Sequence, residues 1–177
     1  MAEQKPEVWQ RGPHEGVPDL LQPIAHALLQ AREEVEELTN NFPDDLMWKR
    51  PAGVASPAFH LQHLTGVLDR LFTYSKEQSL SEIQLHALSI EGDQANTHYT
   101  LHELVQLFKK QVDIVVEELK TVDTKTLTHQ RTIGRKKIPT TFIGLYIHSA
   151  EHTMRHVGQL HVTIKILVGL NTNPSLS

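Results

Sequence analysis

Residues 139–170 read PTTFIGLYIHSAEHTMRHVGQLHVTIKILVGL, and their periodicity decides the fold class. Ile143, Ile147, Ala150, Met154, Val157, His161, Ile164 and Val168 recur at steps of three and four, which marks one face of a helix. Pro139 and Thr140 are expected to start this helix, and the tail NTNPSLS to stop it and fray. His161 falls on the apolar stripe and is expected to be a core histidine.

Upstream of this helix, residues 121–138 change character. Thr, Val and Ile alternate with polar residues around Gly134 and Arg135, which predicts a short β-hairpin just before the last helix. Earlier still, Thr100 and Glu103 form a capping-box pattern ahead of Leu101, Leu104, Val105, Phe108, Val112, Val115, Val116 and Leu119. Ser56 and Pro57 read as an N-cap and first helical residue before Leu64, Val67, Leu68, Leu71 and Phe72. The linker between these two helices holds Gly92 and Asp93, with room for a short helical turn. Leu21, Ile24, Leu28, Ala31, Val35 and Leu38 form a further stripe, with Pro23 expected in its first turn. Four amphipathic helices without a βαβ pattern predict an all-α protein, a four-helix bundle with a short hairpin before the last helix. An irregular arm over residues 1–17, a bundle over 18–170 and a tail over 171–177 are expected.

The chain has 177 residues, 39% hydrophobic and 21% charged, which suits one folded domain and excludes a low-complexity chain. No apolar run reaches the ~18–20 residues of a membrane span, and the start MAEQKPEVWQRG lacks the apolar region of a secretory signal. A cytoplasmic protein without a membrane partner is therefore expected. The net charge of −4 argues against a nucleic-acid partner. There are no cysteines, which excludes disulfides, thiolate metal sites and a Cys nucleophile. There are 12 histidines, so any transition-metal site must be built from imidazole, with or without carboxylate.

His148, His152 and His156 lie four residues apart on the last helix. Positions i and i+4 differ by only about 40° around the axis, so two such rings can reach one metal. His152 and His156 fall at the edge of a wide apolar sector that includes Leu145, Leu160 and Leu167. The motif is HxxxH without the glutamate of the zinc-protease HExxH. In a chain this rich in histidine, such a pair also arises by chance. His60 and His63 lie on the second helix, His60 nearer the middle of its apolar face, and either is a candidate third ligand. Three histidines from two helices make the ligand set of a catalytic zinc-type centre with an open position. Against that stands a core histidine bonded to a backbone carbonyl. His98 and His102 repeat the i, i+4 spacing and cannot be separated by spacing alone. His14, His26, His86 and His129 read as surface or structural groups. Arg131, Arg135, Lys136 and Lys137 form a basic cluster on the hairpin, suited to a small anion or to a solvated strand edge. There is no GxSxG elbow, P-loop or GxGxxG.

Three segments together resemble the DinB/YfiT-like superfamily of metal-binding four-helix bundles. They are Trp48 followed by Pro51, Gly53 and Ser56; the run SPAFHLQHLTGVLDR from Ser56 to Arg70; and HTMRHVGQL from His152 to Leu160. The resemblance implies an up-down-down-up bundle, often a homodimer. It implies a divalent cation (zinc, nickel, iron or manganese) on His63, His152 and His156, with His60 and His148 additional to that set. Members with known activity include thiol-dependent S-transferases and a thiol-dependent isomerase, while others are described as metal-dependent hydrolases. The expected function is thus a metal-dependent enzyme acting on a small-molecule substrate by activating water or a low-molecular-weight thiol. His60 and His148 are the candidate catalytic groups, as a base or a substrate-binding group. The alternative is a non-catalytic metal-binding or stress-response protein.

Overall fold

A computed structural model of the chain describes residues 5–96, 98–134 and 136–172. Among these, five α-helices and one hairpin follow in order: α1 (Gln22–Thr39), α2 (Pro57–Ser75), α3 (Glu82–Ser89), α4 (Leu101–Leu119), β1 (Gln130–Ile133), β2 (Ile138–Thr141) and α5 (Phe142–Thr172). The fold is mostly helical, with a two-stranded antiparallel hairpin directly before the last helix. α1 and α2 each pack on both α4 and α5. No described helix is long and apolar enough to cross a membrane.

The expected stripes of α1, α2 and α4 become the core. Leu21, Ile24, Leu28, Ala31 and Val35 of α1 and its approach are buried, as are all eight apolar positions expected on α4. Ser56 caps α2, accepting a hydrogen bond from the Phe59 N–H at 3.2 Å, and the Thr100/Glu103 capping box opens α4. The short helix in the linker is α3, capped by Ser81. The segment before α1 is docked: Val8 and Val17 are buried, and Arg11 pairs with Glu33 at 2.7 Å. Residues 1–4 of the arm, Arg135 of the basic cluster and residues 173–177 of the tail lie outside the described residues.

The structure corrects three expectations, all on α5. Pro139 and Thr140 belong to β2, and α5 starts at Phe142. The Phe142 N–H donates to the His129 carbonyl at 2.9 Å, and Thr132 pairs with Pro139. Alternation along an antiparallel pair then puts Pro139 in a position without a ladder bond, where its missing N–H costs nothing.

The buried line of α5 is also rotated from the apolar count. It runs through Tyr146, Ser149, Thr153, Val157, Leu160, Ile164 and Leu167, while Ile147 is 54% and Val168 39% exposed. His161 is exposed and is no core histidine. A count of apolar residues passes over Ser149 and Thr153, which are fully buried, and so misplaces the centre of the face.

The basic cluster does not form a free anion site at Arg131. Its Nε donates to the Ser75 carbonyl at 2.7 Å, and its guanidinium lies 4.7 Å over the Phe142 ring. Lys136 and Lys137 are exposed.

Candidate metal centre

The packing of α2 on α5 brings the two histidine-bearing faces together. On α2, a buried ring, His60, and a half-buried one, His63, lie three positions apart. On α5, His152 and His156 flank the buried Thr153 and sit half-buried at the seam. His63 Nε2 lies 2.9 Å from His152 Nε2. The His156 ring centroid is 4.4 Å from that of His63 and 4.6 Å from that of His152. One nitrogen from each of His63, His152 and His156 falls within 4.8 Å of the others. Imidazole nitrogens each about 2.1 Å from one tetrahedral ion stand about 3.4 Å apart, inside this range.

Burial sets the charge state of the cluster. Desolvation, with the neighbouring His63, pushes His60 down to about 4. Desolvation and the rings of His63, His152 and His60 push His156 down to about 4 as well. His152 is lowered for the same leading reason, helped by His63 and His148. These rings are therefore neutral near pH 7 and offer lone pairs.

The surrounding hydrogen bonds also suit ligation. His63 Nδ1 meets Glu91 Oε2 at 2.8 Å, and Glu91 Oε1 meets Arg70 Nη1 at 2.6 Å. Burial works to raise the Glu91 carboxyl, but the bonds to His63 and Arg70 outweigh it and hold the group below its ordinary value. His60 Nδ1 lies 3.2 Å from His156 Nδ1. A neutral imidazole carries one N–H, so when His156 donates it to His60, its Nε2 keeps a lone pair. When His63 donates a hydrogen bond from Nδ1 to Glu91, its neutral ring turns the Nε2 lone pair toward His152. Two facing lone pairs at 2.9 Å repel unless a proton or a cation lies between them. His152 Nδ1 is buried without a hydrogen-bond partner, so its Nε2 is the nitrogen that finds a counterpart in the cluster. The donor set, all imidazole and mostly neutral, fits a borderline-soft divalent cation.

His148 stands beside the cluster, its ring 5.2 Å from His152 and its Nδ1 3.4 Å from Glu151. His148, Glu151 and His152 form a second group of donor atoms within 4.8 Å, but Glu151 is exposed and already paired with Arg155. His98 and His102, indistinguishable by spacing, are exposed and lie on or next to α4, away from the α2–α5 seam. His86 and His98 line a cleft of about 650 Å³ between α2, α3 and α4.

Three residues at the centre escape the sequence reading: Glu91, Arg70 and Phe59, whose ring stacks on His63 at 5.3 Å. Arg70 carries a usable signal, a cation two turns after His63 inside an apolar helix. Glu91 carries none, because it arrives on a loop.

A family model, that of the DinB superfamily, matches residues 27–160. No curated protein matches the chain. Among solved structures, the chain is similar to a protein from Streptococcus pneumoniae, with 16% identity and a TM-score of 0.58 over 80% of this chain and 86% of that one. It is also similar to a conserved protein from Enterococcus faecalis, with 17% identity and a TM-score of 0.62 over 86% of this chain and 99% of that one. At such identities the likeness concerns the fold alone.

Proposed function

The chain belongs to the DinB superfamily, and on that premise we propose that it is a metal-dependent enzyme. His63, His152 and His156 hold a divalent cation, and water or a low-molecular-weight thiol completes its shell. The observation that carries this reading is the meeting of three imidazole nitrogens from two helices within 4.8 Å. When bound, such a cation supplies a nucleophile at neutral pH, by lowering the pKa of a bound water to about 7 or by deprotonating a thiol.

The protein's own groups do the rest. His60 accepts the Nδ1 proton of His156 and fixes that ring with Nε2 toward the cluster. His148, half-exposed beside His152, takes a proton at Nε2 and returns it to solvent. Hydrolysis and thiol transfer both use this arrangement.

As further parts of the same proposal, α1, α2, α4 and α5 form a four-helix bundle of up-down-down-up order, and the chain works as a cytoplasmic homodimer. The packing of α1 and α2 on both α4 and α5 supports the bundle. Sedimentation at the single-chain mass of 20.1 kDa would remove the dimer.

The test is metal analysis of protein purified without a histidine tag, followed by screens for thiol transfer and hydrolysis. His63→Ala, His152→Ala and His156→Ala should each lose the bound ion, while His86→Ala and His129→Ala keep it. Full loading of His63→Ala would break the ligand set and make His60 the next candidate. A loaded protein inactive in every screen would favour the non-catalytic reading.

A further inference from the structure

We infer that Glu91 is a positioning residue for His63: anchored by Arg70, it fixes the proton of His63 on Nδ1 and so presents Nε2 to the metal centre. This inference rests on the metal-binding reading above, but its central claim is a tautomer that exists with or without a cation.

The argument starts from the two oxygens of one carboxylate. Glu91 is 9% exposed at its side chain and Arg70 10%, so both charges are largely removed from water. Oε1 meets Arg70 Nη1 at 2.6 Å and Oε2 meets His63 Nδ1 at 2.8 Å. An arginine is always charged, and a buried charge needs its partner ionised. An ionised carboxylate only accepts hydrogen bonds. The proton of His63 therefore sits on Nδ1, and Nε2 is left as the donor atom facing His152, 2.9 Å away. Carboxylates placed behind ligating histidines set ring orientation and raise ligand basicity in this way.

Three features of the backbone look built around this contact. Gly66 stands in the interior of α2, where glycine is a poorer helix former than alanine. A Cβ there would come within 2.5 Å of Arg70 Nη1 and 2.7 Å of Glu91 Oε1. The helix gives up propensity at the one place where the ion pair crosses it. Next, the Gly92 N–H donates to Gln62 Oε1 at 2.8 Å, tying the loop that carries Glu91 to α2. Gly92 has φ +80°, and a Cβ there would lie 2.9 Å from Phe59 Cδ2. The loop thus closes on Phe59, whose ring lies nearly parallel to that of His63, at 11°. Glu91 on its edge and Phe59 on its face hold one imidazole in one pose.

The test uses Glu91→Gln, which keeps the shape, and Gly66→Ala, which leaves every polar group in place but crowds the ion pair. Nitrogen-15 chemical shifts of His63 in the metal-free protein read the tautomer directly. Zinc chloride titrated into the same samples reads affinity. The wild type should show His63 with its proton on Nδ1. Both variants should show a mixture of tautomers and bind zinc about 10–100-fold more weakly, with helical circular dichroism retained. A His63 tautomer unchanged in both variants, with zinc affinity equal to wild type, would overturn the inference. If the wild type bound no zinc, the metal reading would fail, while the shifts of His63 would still decide the role of Glu91.

Discussion

His156 shows how strongly one ring's surroundings set the chemistry of the centre. Desolvation comes first and three neighbouring imidazoles follow, and together they hold it near 4 against an ordinary 6.5. His60 sits near 4 for the same leading reason. In the unfolded chain both rings take up protons below about 6.5, whereas the folded protein resists doing so until about 4. Between these values the unfolded state binds more protons, so stability falls as pH falls and is level above the window. The metal-free protein should therefore lose melting temperature steadily from pH 6.5 toward pH 4, as read in thermal melts at a series of pH values. An unchanged midpoint between pH 7 and pH 5 would show that these rings take up protons in the fold as readily as in the unfolded chain. Protons compete with a cation for the same nitrogens, so acid should also release bound metal across this range.

Among the elements, α4 is where local sequence signals are plainest. Thr100 Oγ1 accepts the Glu103 N–H at 3.2 Å, and Glu103 Oε2 accepts the Thr100 N–H at 2.8 Å, so two otherwise orphaned donors are satisfied reciprocally. Thr100→Ala should cost about 1 kcal/mol in urea unfolding. The same variant should load metal normally, because α4 carries none of the three imidazoles; reduced loading would mean that the cap reaches the centre. α5 is the opposite case. Its helical period is legible, but its facing is not, because two of the positions pressed against its neighbours are Ser149 and Thr153. The start of α5 shifted for a related reason: Pro139 suits a first helical turn and an unbonded strand position equally well, and pairing with Thr132 selected the second.

At the scale of the whole molecule, the core and the candidate metal centre are separable. The core residues Leu28, Leu68, Phe108, Val112 and Leu160 are fully buried within one cluster of apolar side chains. The three candidate ligands come from α2 and α5, and His63 and His152 lie 89 positions apart in sequence. A cation held by both binds the folded state preferentially and adds RT ln(1 + [M]/Kd), about 2.7 kcal/mol at a hundredfold excess over Kd. Chelation should therefore leave a helical protein that melts at a lower temperature, as followed by circular dichroism. Loss of the helical signal at room temperature would make the metal a folding staple, as in a zinc finger.

What the sequence determined by itself is what short-range geometry encodes. The four long stripes, the caps at Ser56 and Thr100, the hairpin before α5, and the pairing of His152 with His156 all depend on residues within a few positions of one another. Helical spacing also narrowed the partner on α2 to His60 or His63, but could not separate a ring that faces the cluster through Nε2 from one that supports His156 from behind. The family resemblance singled out His63, and the tertiary structure sets its Nε2 against His152 and sets His60 against His156, which depends on how α2 packs on α5. Only the tertiary structure decided that Glu91 stands behind His63, across 28 residues of chain. A loop's return is fixed by the contacts it makes, here with Gln62, Phe59 and Arg70, and no local periodicity announces them.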